Sequence, residues 1–235
     1  TTAHTLSLHD ALPISCKMIF RSFLALFFMS LSIHSEENYG IVIHGGAGVM
    51  SGLSAQNQEE IHEKIRETLT AAYQILENGG SSLDSVELAV SMLEDSPLFN
   101  AGKGSVFNHL GQHEMDASIM NGKDLNAGAV CCVEQFKNPI LLAKLVMEKS
   151  EHVMLTGNGA MEFGEKMNCE KEEESYFFDQ LRYDQWQSIK DSDHFQLDHS
   201  INNPKKFGTV GAVALDQHGN LAAATSTGGM TNKKF

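Results

Sequence analysis

The sequence predicts an α+β domain, and three observations carry that prediction. Two long segments repeat apolar residues at helical spacing. Several short apolar, β-branched runs are bounded by Gly and Asn. Near the end, two such runs flank the turn Asp216–Asn220, as in a hairpin. Hydrophobic residues make up 42% of the 235 and charged residues 20%, ordinary globular usage that excludes global disorder. Acids outnumber Lys plus Arg by 30 to 17, for a net charge of −13. That balance excludes a general electrostatic grip on nucleic acid, whose phosphates need a basic face. It suits a small-molecule or peptide partner.

The elements follow in order. Residues 38–44 (NYGIVIH) form a buried strand that runs into the tight turn Gly45-Gly46-Ala47-Gly48. Residues 58–77 place Ile61, Ile65, Leu69, Ala72 and Leu76 on one helical face, and Asn78-Gly79-Gly80 stops that helix. Ser81-Ser82-Leu83-Asp84 caps a second helix through about Leu93. Pro97 and Asn100-Ala101-Gly102-Lys103-Gly104 make a loop. Short strands are predicted at 105–107, 114–120 and 127–133, and helices at 138–149 and 159–167. Residues 168–206 are polar, carry an acidic cluster and show little apolar periodicity, so they read as a solvated, mobile linker with short amphipathic pieces around Phe177–Trp186. Order returns at Gly208, with strands at Val210–Leu215 and Leu221–Thr227.

The N-terminus reads as targeting rather than structure. Lys17 and Arg21 precede the apolar run 23–33, and the small residues Ser32 and Ser35 follow. This is a signal-peptide pattern over 18–35, and its apolar run is shorter than the roughly 18 residues of a membrane span. It implies a periplasmic or secreted product; without it the protein would be cytoplasmic. Upstream, Thr5–Ile14 resembles one reading frame of a common sequencing-adapter oligonucleotide, so residues 1–17 read as a non-native lead.

The four cysteines, Cys16, Cys131, Cys132 and Cys169, have no zinc spacing and no disulfide framework. Cys131 and Cys132, neighbours in an apolar run, read as small buried hydrophobes. The sequence lacks a nucleophile elbow, a Walker A loop, a zinc-protease helix and a dinucleotide fingerprint. His44 alone reads as a structural histidine.

Thr209 alone reads as an ordinary strand threonine; the combination of a Gly208–Thr209 junction, a polar stretch before it and a buried strand after it makes it a candidate nucleophile. A Thr becomes a nucleophile when its own α-amino group serves as base. An α-amine titrates at roughly 7.7–8.0, so part of it is neutral at working pH. Within a chain that nitrogen is an amide, and the chain must be cut before the Thr. Gly208, without a Cβ, tolerates the strained angles that bring Thr209 Oγ to the Gly208 carbonyl.

The strings GTVGAVALD (208–216) and GNLAAATSTGGMTNK (219–233) resemble the nucleophile hairpin of the isoaspartyl peptidase / plant-type L-asparaginase family, which are N-terminal-nucleophile hydrolases. IVIHGGAG (41–48), the stretch from AAYQILENGG through NAGKGSVFN (71–108), HEMDASIMNG (113–122) and NAGAV (126–130) extend the resemblance in family order. It implies an αββα sandwich and a precursor that cuts itself between Gly208 and Thr209. It assigns Thr209 as nucleophile and Thr227 as the second Thr that tunes it, with Thr225 and Ser226 supporting the strand. Asn100 holds the active-site region, and Gly45, Gly46 and Gly48 of the HGGAG loop assist the cleavage geometry. The main-chain carbonyls of Leu93, Glu94, Ser96, Phe99, Ala101 and Lys103 would hold a structural sodium ion. No cofactor is implied for catalysis. The implied partners are L-asparagine or isoaspartyl peptides, the protein's own cleaved subunit and a second αβ unit, with neither nucleic acid nor, in the mature form, membrane.

Two departures stand out. Phe207 occupies a position where relatives often carry His. The family's substrate clamp and oxyanion segment have no counterpart up to Phe235, so substrate-binding residues are expected beyond it and the αββα sandwich is expected to be incomplete. On that reading this chain is truncated, exposes an apolar sheet edge, and is inactive and prone to aggregate by itself. A glycosylasparaginase-like amidohydrolase and a non-catalytic exported fragment or pseudo-enzyme are the alternatives.

Overall fold

The structure, a computed structural model, describes residues 38–47, 53–192 and 208–234. The expected lead over 1–17 and the signal peptide over 18–35 lie outside these residues, as do Gly48 and the second half of the expected linker.

The strands are β1 (Gly40–His44), β2 (Met115–Asn121), β3 (Ala127–Val133), β4 (Met154–Thr156), β5 (Val210–Leu215) and β6 (Leu221–Thr227). They form one sheet in the order β1-β5-β6-β2-β3-β4. All pairs are antiparallel except β3–β4. The helices are α1 (Ala55–Glu77), α2 (Ser82–Glu94), α3 (Pro139–Lys149), α4 (Gly157–Lys166), α5 (Glu174–Phe177) and α6 (Gln180–Gln187). The α+β class is as the sequence predicts, with one α layer on one β layer among the described residues.

The helix-facing side of the sheet is built from small residues. Ala212, Ala214, Ala222, Ala224 and Ala117 are all buried, and they let α2 lie close over β5 and β6. Ser54 caps α1, its Oγ accepting from Asn57 N at 3.2 Å. Ser81 caps α2, its Oγ accepting from Asp84 N at 3.1 Å. The β5–β6 turn then fastens both helices. Gln217 Nε2 donates to Leu76 O at 2.8 Å at the end of α1, and Asp216 Oδ2 accepts from Ser82 N at 3.2 Å at the start of α2. Burial pushes the Asp216 carboxyl up, but N–H groups of Asn220, Ser82 and His218 outweigh it and hold it below the usual range.

The opposite face is open among the described residues. Val42 is 74% exposed, Leu221 54% and Val213 51%. The apolar surface expected at a sheet edge therefore lies on a sheet face, because the strand alternation turns every second apolar residue away from the helices.

Three predictions are corrected. Residues 105–107 are not a strand: they are buried coil, with Val106 N bonded to Asn100 Oδ1 at 3.1 Å. The expected linker is folded over 168–192. Phe177 and Arg182 are fully buried, and Arg182 Nε donates to Gly104 O at 3.1 Å. Trp186 stacks on Phe107 with centroids 5.7 Å apart, and Tyr183 meets the same ring edge-on. A few aromatic anchors hold this stretch where helical periodicity is weak. Finally, Cys132 is exposed and Cys131 half-buried, because a β-bulge interrupts the alternation there. Burial and the neighbouring Asp116 push the Cys131 thiol up to about 12.

Phe177→Ala tests the folded segment. Loss of a fully buried aromatic is expected to cost about 3–5 kcal/mol in urea denaturation. A loss below about 0.5 kcal/mol would mark a solvated linker.

Candidate active site

The register of β5 and β6 builds the site. Val210 pairs with Ser226, so the next residues outward, Thr209 and Thr227, face each other. Thr209 Oγ1 donates to Thr227 Oγ1 at 2.9 Å. Thr227 Oγ1 also accepts from Gly229 N at 3.0 Å, which fixes its rotamer. The two hydroxyls thus form a short chain that ends on a backbone N–H.

Asn100 supports that chain from behind. Its Nδ2 donates to Gly229 O at 2.7 Å, its Oδ1 accepts from Val106 N, and its carbonyl accepts from Gly228 N at 3.1 Å. Gly228 has no room for a side chain: a Cβ would meet Asn100 Oδ1 at 2.4 Å. Lys233 holds the same turn, its Nζ donating to Gly228 O at 3.1 Å and Glu114 O at 2.7 Å.

The loop after β1 presses on the other side of Thr209, at the Gly208 peptide. Gly46 sits at φ +107°, and a Cβ there would lie 2.4 Å from Gly208 O and 2.5 Å from Gly208 N. Only glycine permits this backbone contact with the Gly208 peptide. Gly45 packs against Ile65 and Phe99, where a Cβ would stand 3.0 Å from each ring or methyl carbon. Gly48 lies outside the described residues. A groove of about 270 Å³ opens on the same sheet face, lined by Val42, His44, Thr209, Gly211, Val213 and Thr225.

Two glycine-rich turns in order, a paired-threonine hairpin and a supporting Asn are the arrangement of a known family, and comparison with known proteins decides the matter. The family described as Asparaginase (Asparaginase_2) matches residues 37–235. The chain belongs to the asparaginase family. It is 47% identical to a putative isoaspartyl peptidase/L-asparaginase of Dictyostelium discoideum, over 82% of this chain and 65% of that protein. It is 48% identical to the isoaspartyl peptidase of Escherichia coli K12, over 82% of this chain and 62% of that protein. It is 46% identical to the isoaspartyl peptidase/L-asparaginase of Homo sapiens, over 82% of this chain and 61% of that protein. The chain thus spans less than two thirds of the length of these relatives. The asparaginase family is of the N-terminal-nucleophile hydrolase type.

Of the residues singled out in the sequence, Thr209, Thr227, Asn100, Gly46 and Gly208 come together. Thr225 instead meets Ser118, with hydroxyls 2.9 Å apart, and Ser226 turns into the core. The stretch Leu93–Lys103 carries Asn100. Its Leu93 and Ala101 carbonyls accept from Ser96 N and Gly104 N, both at 3.2 Å. Its Glu94 and Phe99 carbonyls face Gly102 and Gly104, where a Cβ would meet them at 2.5 and 2.1 Å. Lys103 extends over the Tyr176 ring, 4.7 Å from its centroid. Two of the six carbonyls named for a sodium ion, those of Leu93 and Ala101, thus already accept backbone hydrogen bonds.

Sequence reasoning assigned no side-chain role to Lys233, Asp116 or Glu94. Lys233 closes a quoted motif and Asp116 lies within another, but only strand pairing shows that Asp116 stands opposite Thr227. Glu94 is fully buried at the end of α2, and its Oε1 accepts from Ile140 N at 3.1 Å. Ser226 lies beside this carboxyl without a bond of ordinary geometry. Burial pushes Glu94 up to about 8, against smaller opposing effects of Ser226, the Ile140 N–H and Asn138.

The folded protein therefore holds a Glu94 proton that the unfolded chain releases from about 4.5 upward. This contribution to stability is complete below that pH and is lost as pH rises through about 8. Glu94→Gln, which mimics the protonated acid, is expected to remove that loss. Parent and variant should diverge by on the order of a few kcal/mol between about pH 5 and about pH 9 in urea denaturation. Parallel profiles would show that Glu94 is ionised in the fold.

Proposed function

We propose that this chain carries the nucleophile of a threonine amidohydrolase precursor that cuts itself between Gly208 and Thr209. The mature enzyme then hydrolyses the side-chain amide of L-asparagine or the β-aspartyl bond of isoaspartyl peptides. The observation that carries this reading is the 2.9 Å contact between Thr209 Oγ1 and Thr227 Oγ1, beside a Gly208 peptide pressed by Gly46.

In the precursor, Thr209 Oγ attacks the Gly208 carbonyl carbon. The new C–O bond replaces the C–N bond, and the nitrogen takes a proton. Water cleaves the resulting ester, leaving a Gly208 carboxylate and a free Thr209 α-amine. In turnover the amine takes the Oγ proton as the oxygen attacks the substrate carbonyl, and returns it to the leaving ammonia or amine. Water then releases aspartate from the acyl-enzyme. Thr227 orients the attacking oxygen throughout, because its own hydroxyl is held by Gly229 N. Asn232 Nδ2 donates to Ile189 O and Ser192 O, so the upstream chain stays docked as far as Ser192 after the cut. Only the stretch beyond it needs to leave the nucleophile.

We further propose that the carbonyls of Leu93, Glu94, Ser96, Phe99, Ala101 and Lys103 hold a sodium ion. The ion would supply rigidity to the loop that carries Asn100 and would take part in no bond-making step.

Three measurements test these proposals. The complete gene product should run as two chains on a denaturing gel, the smaller beginning Thr-Val-Gly-Ala, and Thr209→Ala should run as one. A single wild-type chain would refute self-cleavage. Gly46→Ala should slow the cut on the order of 10²-fold, since it displaces the Gly208 carbonyl. Replacing sodium by tetramethylammonium at equal ionic strength should lower the melting temperature; an unchanged value would refute the sodium site.

A further inference from the structure

We infer that Asp116, Cys131 and Cys132 form a binding site for a thiophilic divalent cation of the zinc class, beside Thr227 on the open face of the sheet. One ligand atom from each residue lies within 4.8 Å of the other two. A tetrahedral zinc ion with two thiolates at about 2.3 Å holds its sulfurs about 3.8 Å apart. Side-chain rotation of about 1 Å therefore closes the site.

The backbone is already arranged for it. Pairing between β2 and β3 jumps from Met115–Val133 to Ala117–Val130, so Asp116 alone opposes both cysteines. In a regular strand two consecutive side chains point to opposite faces. The bulge and the left-handed Cys132, at φ 54°, bring both sulfurs to the Asp116 carboxylate. Asp116 Oδ1 accepts from Cys132 N at 2.8 Å, which fixes the carboxylate over the bulge and leaves its other oxygen for the ion. Cys132 is exposed, so the ion can enter from solvent.

The donor set selects the ion. Two sulfurs and one carboxylate favour zinc or cadmium over magnesium or calcium, which take oxygen ligands. Three protein ligands leave a fourth position for water. On binding, each thiol passes its proton to solvent as its sulfur takes the metal; no electron moves. Asp116 pairs with Thr227 on the adjacent strand, so the ion, held between β2 and β3, sits about one to two strand spacings from Thr227. The inference does not depend on the peptidase reading, and its readout is binding.

The test uses the full chain carrying Cys16→Ser and Cys169→Ser, which keeps only the two cysteines of the site. One equivalent of cobalt(II) should produce a thiolate-to-cobalt charge-transfer band that zinc abolishes. Cys131→Ser or Cys132→Ser should remove the band, and Asp116→Asn should weaken affinity at least about tenfold. Absence of a band at one equivalent, or a band that survives loss of both cysteines, would overturn the site. A second measurement needs no variant. Zinc should protect Cys131 and Cys132 of the wild-type chain, but not Cys169, from iodoacetamide, as mapped by mass spectrometry. Equal alkylation of all three with and without zinc would likewise overturn it.

Discussion

The antiparallel register of β5 and β6 is the constraint on which the rest depends. A slip of one residue would turn Thr209 and Thr227 to opposite faces of the sheet. Burial prevents that slip, since inverting β5 would also drive Val210, Ala212 and Ala214 out of the core and Thr209 into it. The turn adds a second lock. Asp216 and Gln217 tie the hairpin to the start of α2 and the end of α1, so the strands cannot slide without breaking helix caps. Hydroxyl geometry at one end of the hairpin is thus held by hydrogen bonds at the other.

Around the hydroxyl pair the site is made largely of backbone. Gly46, Gly104 and Gly228 stand where any Cβ would strike a main-chain or supporting atom within 2.4 Å. Close packing of this kind tolerates no added methyl group, which removes freedom around the Gly208 peptide and the Gly228–Gly229 turn. Asn100 joins these pieces because its amide both donates and accepts, linking the Gly228–Gly229 turn to the coil at Val106. Lys233 adds a charged donor under the same turn.

Most elements could be read from the sequence because their local signals agree with their tertiary roles. Ser54 and Ser81 cap helices, Asn78-Gly79-Gly80 ends one, and the β5–β6 strands carry small apolar residues on their buried face. Thr209 stood out as a candidate through chemistry, since Gly-Thr at the mouth of a buried strand suits an amine-assisted nucleophile. What failed to show was non-local. Phe177, Arg182 and Trp186 pack on His113, Gly104 and Phe107, more than 60 positions earlier, so the acidic composition around them dominates any local reading. Three-residue β4 is too short for periodicity to register. Cys131 and Cys132 lie in an apolar run, and only the bulge opposite Asp116 shows that they are not core residues.

The open face gives these features a common setting. Val42, Val213 and Ala223 surround Thr209 and Thr225 with apolar surface, while Thr209, Thr227 and Asp116 lie in a polar row across the strands. Once a substrate or another part of the protein covers such a face, water is excluded and each polar contact strengthens. A lone hydroxyl would then be left unsatisfied, at a cost of about 1–3 kcal/mol. Pairing Thr209 with Thr227, and Thr227 with a backbone N–H, keeps the Thr209 oxygen bonded through that covering. The same reasoning sets a limit on the row: Asp116 places a carboxylate next to Thr227, and its bond to Cys132 N keeps that carboxylate turned toward the bulge and away from Thr209.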